Sequence, residues 1–367
     1  MTIRIYSFFA GGGFLDLGFE KSNFDVVFVN EFDKDFIDIY KYSRQKMNLK
    51  KPEYGYHNCD IHEFLKGENK KKLHEFVEGD KAQSHLVGFI GGPPCPDFSV
   101  AGKNRGIDGD NGKLTTLYKR VILQNTPDFF LFENVKGLWA TKKHRIEYDR
   151  LKESFKRKGY VLTEKLANSL EYGVPQFRER IFLLGIRKEL FESKSEIKDF
   201  QSNFAWGTSD SMRVEEILLQ SWPTTNPFLA NSRSLMPTNI LENLTVQFWF
   251  DKNEVTVHPN SKDFFKPHSN KFEIIDEGDI SGKSFKRLHR WRFSPTVAYG
   301  NNEVHLHPYK SRRLSVAEAL SLQSLPKEYV IKEDVTLTKK FKLVGNGVPY
   351  LMSENIAGEI FSFLCKK

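Results

Sequence analysis

The chain is expected to be an α/β protein: a doubly wound, mostly parallel sheet with a second, smaller domain. Three observations predict this. Short apolar runs alternate with helical stretches through the first 187 residues, the rhythm of a parallel sheet crossed by helices. The first run ends in a glycine cluster that opens a helix, the start of many nucleotide-binding folds. After about Lys188 the alternation stops, so a different architecture takes over.

Ile3 to Phe9 is apolar and β-prone, and it ends in Ala10-Gly11-Gly12-Gly13. Phe14, Leu15, Leu17 and Phe19 then begin a helix. Glycines let a ligand approach the backbone, and a helix N-terminus favours negative charge. Asp25 to Asn30 is a second strand, followed by Glu31-Phe32-Asp33. An acidic residue about 20 positions after the glycines suits a ribose hydroxyl pair. The same carboxylate suits a helix N-terminus, since Asp33 is placed to cap a helix from Lys34 to Lys46.

A third short strand is expected to end at Cys59-Asp60-Ile61. Lys70-Lys71-Lys72 then marks the solvated face of a helix. His85 to Ile90 is a fourth strand, broken abruptly by Gly91-Gly92-Pro93-Pro94. Cys95 follows, in a loop at the carboxyl end of a strand, where open α/β sheets bind ligands. Lys113 to Gln124 reads as a helix, and Asp128 to Phe132 is a fifth strand that delivers Glu133-Asn134-Val135 to the same rim. Ile146 to Lys158 is an amphipathic basic helix. Leu162 to Leu170 and Arg180 to Ile186 are further strands, separated by the segment Glu171 to Arg180. The rim of strand ends thus collects glycines 11 to 13, Glu31, Asp60, Cys95, Glu133, Arg178 and Arg180.

Residues 190 to 290 show short mixed runs rich in Asn and Ser, which predicts a β-rich or irregular domain. Its far end, Gly282 to Phe293, interleaves five basic side chains and a histidine with aromatics. Basic residues hold phosphates, and aromatics stack on bases or wedge between them. Ser315 with Glu318 forms a capping box opening a helix. Val344-Gly345-Asn346-Gly347-Val348-Pro349 precedes a last helix running to about Leu364. The expected division is residues 1–187 as catalytic and cofactor-binding domain, 188–330 as the smaller domain including Arg312 to Pro326, and 331–367 as a segment returning to the first domain.

Bulk properties narrow the class. A net charge of +8 is compatible with a polyanionic partner. Three scattered cysteines, Cys59, Cys95 and Cys365, indicate neither a disulfide framework nor a zinc site and suit a reducing cytoplasm. No apolar run approaches the ~18 residues of a membrane span, and no metal is expected. A loop cysteine beside a carboxylate near a nucleotide pocket suggests covalent catalysis, with a thiolate attacking carbon and an acid assisting.

Taken in order, these motifs resemble the C5-cytosine DNA methyltransferases of bacterial restriction–modification systems. The match runs almost end to end: Phe9 to Gly13 with Gly18 and Glu20, Asn30-Glu31-Phe32-Asp33, Asp60-Ile61, Pro93-Pro94-Cys95, Glu133-Asn134-Val135, Tyr172 to Arg180, Arg312-Arg313-Leu314, Gln323 to Pro326, and Gly345 to Pro349. The stretch between Arg180 and Arg312 is where that family keeps its target-recognition domain.

The resemblance implies the methyltransferase form of the Rossmann-like fold, with S-adenosylmethionine as methyl donor held by Phe9, Ala10, Gly11, Gly13, Glu31, Phe32, Asp60, Ile61, Pro94 and Asn346. Phe9 and Phe32 would line the adenine, Glu31 the ribose, Asp60 the adenine amino group and Asn346 the methionine part. Cys95 would attack C6 of a cytosine turned out of duplex DNA. Glu133 would contact N3 and the amino group, and Arg180, supported by Arg178, the carbonyl side. A cognate restriction endonuclease as functional partner, a monomer, and no membrane association are further expectations. Four positions depart from the family pattern: Phe14 for glycine, Pro96 for glutamine, Phe177 for a polar residue, and Gly347 for alanine or serine. The tRNA cytosine branch of the family would keep nearly every motif; the long variable region favours duplex DNA. A catalytically silent DNA-binding protein and a nicotinamide-dependent oxidoreductase are the other readings, and neither gives Cys95 with Glu133 a role.

Overall fold

In the computed structural model, the described residues are 2–94, 110–208, 212–297 and 303–366. The main sheet contains β1 (Ile3–Phe8), β2 (Asp25–Asn30), β3 (Tyr56–His57), β4 (Leu86–Gly91), β5 (Phe129–Val135), β6 (Tyr160–Asn168) and, after the two-residue β7 (Gln176–Phe177), β8 (Glu179–Arg187). Its order is β3-β2-β1-β4-β5-β8-β6. The first five strands are mutually parallel, while β8 runs antiparallel to both neighbours. The mostly parallel sheet is therefore as expected, with one reversed strand. The cause is chain length: ten residues separate β6 from β8, too few for the crossover that a parallel pair requires.

Each strand is apolar on both faces, and side chains alternate between two cores. In β4, Leu86 and Ile90 join Phe19, Val29, Ile356 and Ile360 on one side. Val87 and Phe89 join Phe28, Leu73, Val121 and Phe155 on the other. The helix Tyr350–Leu364 lies in the first core beside the helix Phe14–Lys21, where the Ser353 hydroxyl donates to the Leu15 carbonyl (2.6 Å). The C-terminal segment thus packs on the first helix of the chain. Phe200 and Trp206 also enter this core, so the chain just past residue 188 is still packed on the sheet.

The third strand is shorter than expected. It stops at His57, and Asp60 instead caps a 3-10 helix, Ile61–Leu65, by accepting the His62 N–H (2.7 Å). Asp60 and the buried Ile61 mimic a strand end in sequence, but a short acidic side chain that can cap competes with the sheet ladder. Lys70, Lys71 and Lys72 are exposed on the helix Gly67–Ala82.

The region beyond residue 207 is irregular rather than β-rich. Short helices and turns dominate it, with one two-residue strand, β9 (Ser294–Pro295), pairing in parallel with β7. Without a ladder, its carbonyls need other donors. Arg287, fully buried, donates to the carbonyls of Phe272, Ile275, His307 and Lys310 and stacks on Phe228. Arg290 grips Glu277 through two parallel bonds of 2.8 Å and also reaches Ser232. The Ser315–Glu318 capping box forms as expected, and Arg312 and His307 both bind its carboxylate.

Candidate active site

The glycine turn after β1 is wound into an unusual shape. Phe9, Gly11 and Gly13 all have positive φ (54°, 55° and 76°). For Phe9 that conformation costs about 1–2 kcal/mol, held in place by the surroundings. The turn's carbonyls are gripped from behind: Arg44 donates to Gly13 (2.6 Å) and Gly12 (3.3 Å), and the Tyr329 hydroxyl donates to Gly12 (2.8 Å). Arg44 is buried, paired with Glu20 (2.9 Å) and stacked on Tyr40. Asp16 beneath them accepts from Ser7 and Tyr40. Sequence reasoning missed Arg44 and Tyr329. The available signal was an arginine four residues after Tyr40, on the buried face of an amphipathic helix.

Glu31 lies against this turn. Its carboxylate accepts the Gly11 N–H and the Asp33 N–H, both at 2.8 Å. It therefore joins the glycine turn to the start of the helix Lys34–Lys46, which Asp33 caps through the Asp35 N–H. Burial pushes the Glu31 carboxyl above its ordinary value, against those two amides. Phe32, beside it, is 71% exposed, an apolar ring left in water at the rim. Asn58 ties this loop to the Asp60 loop by donating to the carbonyls of Glu31 and Phe32. Asn30 donates to those of His57 and Cys59. Glu31, Phe32, Asp60 and the glycine turn are thereby brought together. The space above Gly11 is open: a β-carbon there would meet nothing within 4 Å. Open backbone, two carboxylates and a bare aromatic ring fit a ligand with an adenosine and a positive charge. Ile61 is buried, Pro94 exposed, and Asn346 exposed at the end of the helix Leu337–Asn346.

The second half of the rim follows from the reversed strand. Because β8 is antiparallel, it begins where β5 ends. Arg180 pairs in register with Val135, and Phe182 with Glu133. Arg180 is then the diagonal neighbour of Glu133 on one face, and its Nε lies 2.9 Å from the Glu133 carboxylate. Glu133 is buried, and burial raises its carboxyl above the ordinary value, with Arg180 and Arg178 opposing. The rise means that desolvation outweighs the arginines.

The loop that leads to Cys95 crosses this carboxylate. A β-carbon on Gly92 would lie 2.3 Å from Glu133 Oε2, so only glycine permits the approach. Asn134 reaches the Pro93 carbonyl at 3.4 Å. Cys95 and Pro96 themselves lie outside the described residues. Arg178 is fully buried and donates to the Gly345 carbonyl (2.8 Å), which ties it to the helix end bearing Asn346. Gln176, also fully buried, donates to the Leu322 carbonyl and accepts the Val297 N–H. Phe177 joins Trp222, Phe293 and Leu170 in an apolar cluster between the sheet and the irregular region, which accounts for its bulk.

A buried carboxyl whose proton affinity is raised, with an arginine beside it, can hydrogen-bond and polarise a planar, electron-poor ring. The sequence model for C-5 cytosine-specific DNA methylases matches residues 3–362. The chain is 51% identical over 362 residues to the Type II methyltransferase M.NmeDI of Neisseria meningitidis serogroup C, covering 98% of this chain and 84% of that one. The fold is similar to the Entamoeba histolytica methyltransferase EhMeth (TM-score 0.61, 12% identity, 99% of each chain). It is also similar to a Spodoptera frugiperda DNMT2 mutant (TM-score 0.56, 16% identity, 99% of this chain and 100% of that one).

Proposed function

The chain belongs to the C-5 cytosine-specific DNA methylase family and is a DNA cytosine-5 methyltransferase; we propose that the strand-end rim described above is its active site, with S-adenosylmethionine as methyl donor. The observation that carries this reading is the buried Glu133–Arg180 pair beneath the loop entering Cys95.

Phe9, Ala10, Gly11, Gly13, Glu31, Phe32, Asp60, Ile61, Pro94 and Asn346 hold the donor, with Glu31 on the ribose and Phe32 on the adenine. When bound, S-adenosylmethionine would supply an electrophilic methyl group to C5 of the cytosine, its sulfonium–methyl bond breaking to leave the neutral thioether S-adenosylhomocysteine. The Cys95 thiolate adds to C6 and forms a carbon–sulfur bond. The displaced ring electrons move towards C5 and N3, where the protonated Glu133 donates. Arg180 donates to the ring carbonyl and holds Glu133 in place. Loss of the C5 proton to a base, with return of the N3 proton to Glu133, then restores the ring and expels Cys95 as its thiolate. Attack needs the base outside the stack, which flipping provides.

Among the described residues no helix is long and apolar enough to cross a membrane. We place the enzyme in the cytoplasm, acting as a monomer on duplex DNA and paired functionally with a restriction endonuclease. The test is incubation of purified protein with tritiated S-adenosylmethionine and a plasmid, followed by bisulfite sequencing. Methylated cytosines at one short sequence are expected. Label on tRNA alone, or no label, overturns the reading.

A further inference from the structure

The irregular region presents one loop that internal packing does not explain. From Arg233 to Met236 every residue is exposed, Leu235 to 93% and Met236 to 41%. Two leucine-sized side chains held in water beside an arginine are unfavourable in an isolated molecule and suit a contact surface. Yet the base of the loop is anchored. Arg290, clamped by Glu277, donates to the Ser232 carbonyl and hydroxyl, and the Asn231 N–H donates to the Tyr309 carbonyl. Behind the loop lies an open cleft of about 640 Å³ walled by Gln247, Tyr309 and Trp291.

Arg233 and Asp251 both line the cleft, and the Asp251 carboxylate accepts from the Gln247 amide (2.8 Å). Among the described residues neither Arg233 nor Arg292 has a carboxylate partner, whereas Arg290 between them is paired with Glu277. The Trp291 indole N–H is buried without an acceptor. The cleft is also close to the active site along the chain. Trp291 is three residues from Ser294, which pairs with Gln176, and Gln176 is four residues from Arg180. At about 3.3–3.6 Å per residue, with about 4.8 Å more across the strand pair, those steps span at most roughly 30 Å, less than the roughly 34 Å of one helical turn of duplex.

Building on the assignment of duplex DNA as substrate, we propose that the 231–237 loop is the base-reading element, with Arg233 directed at a guanine edge and Leu235 making an apolar contact in the same groove. An arginine reads guanine O6 and N7 with two parallel donors, and apolar side chains read the thymine methyl. Gln247 is engaged by Asp251 and Tyr309 and forms the cleft wall. Arg292, half-buried and next in sequence to the cleft-lining Trp291, is assigned to a phosphate.

The experiment compares wild type with Arg233→Ala, Arg233→Lys and Leu235→Ser, all at exposed positions. It measures cofactor affinity, kcat/KM on the preferred duplex, and the methylated sites by bisulfite sequencing. Arg233→Ala is expected to lower kcat/KM on the preferred sequence roughly 5- to 150-fold, the worth of one bidentate contact. Sites differing at one base pair should then be methylated relatively more often, with cofactor affinity unchanged. Arg233→Lys should keep the salt dependence but not the discrimination. Full recovery of discrimination with lysine, or wild-type sites and rates in both Arg233→Ala and Leu235→Ser, overturns the proposal while leaving the methyltransferase reading intact. No DNA methylation by the wild type removes that reading, and this one with it.

Discussion

Gly347 and Phe14 are two of the four departures from the family pattern, and the structure makes them one. Gly347 has φ −64° and ψ 149°, a conformation open to any residue, so the backbone does not require glycine. Space does. A β-carbon at 347 would lie 2.0 Å from Phe14 Cδ2, 2.6 Å from Cε2 and 2.9 Å from Cγ, where contact needs about 3.5–4.0 Å. Phe14 cannot retreat freely: it is 2% exposed and packs edge-on against Tyr329, whose hydroxyl holds the Gly12 carbonyl. Gly347→Ala should therefore cost about 1–3 kcal/mol by overpacking, less about 0.4–1 kcal/mol from the stiffer unfolded chain. The net loss is about 1–2 kcal/mol. In a Phe14→Ala background the Cγ and Cδ2 atoms that crowd position 347 are gone, and the same substitution should be neutral or mildly stabilising. Urea unfolding of wild type, both single variants and the double variant measures the coupling, expected at about 1–2 kcal/mol in the sense of rescue. Titration with S-adenosylmethionine in parallel should show weaker binding in Gly347→Ala, restored in the double variant. Additivity within about 0.5 kcal/mol would refute the steric argument.

Three further outcomes test the site itself. Cys95→Ser should abolish methyl transfer while the melting temperature and cofactor affinity stay near wild type; retained activity would sink the covalent mechanism. Asp60→Ala should weaken cofactor binding and also cost about 1 kcal/mol of stability through the lost cap, whereas Asp60→Asn should keep the cap. Equal cofactor affinity in all three proteins would remove Asp60 from the donor site. Burial holds Glu133 protonated above the usual carboxylate range, so the rate should fall as pH rises through that raised value. Glu133→Gln should lower kcat by about 10²–10⁴-fold and lose that falling limb; an unchanged pH profile would show that another group is responsible.

Much of the sheet was legible because its signals are local. Strands β1, β2, β4 and β5 are apolar runs ended by glycines, prolines or acids, and Asp33 caps the helix that it announces. The third strand misled because Cys59-Asp60-Ile61 has the composition of a strand end, while the capping geometry of Asp60 is invisible to periodicity. The reversal of β8 is a consequence of connection length, and it puts Arg180 beside Glu133. The irregular region was hardest to read. Its framework rests on arginines such as Arg287 that hydrogen-bond only carbonyls; burial lowers the Arg287 guanidinium to about 10, with the nearby Glu277 and Asp276 carboxylates opposing. In sequence such a residue looks like surface. The interleaved stretch from Gly282 to Phe293, read as a nucleic-acid contact, is divided accordingly: Arg287 and Arg290 are buried supports, and Arg292 is half-buried.

Arg178 shows why two arginines so close in sequence do different work. Arg180 sits on the face of β8 that meets Glu133, whereas Arg178 precedes the strand and turns inward to the Gly345 carbonyl. The neighbouring Gln176 donates to the Gln323 side chain, and Gln323 donates to the Val344 carbonyl at 2.6 Å. Two chains of bonds thus run from the segment before β8 to the last turn of the helix that carries Asn346. The base side and the donor side of the rim cannot shift independently while both hold. A lysine at 178 would keep the charge but not the planar fork that reaches a carbonyl from a fully buried position. Displacement of the helix end at Asn346, rather than loss of the Glu133 contact, is then the consequence of altering Arg178, and its signature is a weaker cofactor affinity with the pH profile of Glu133 retained.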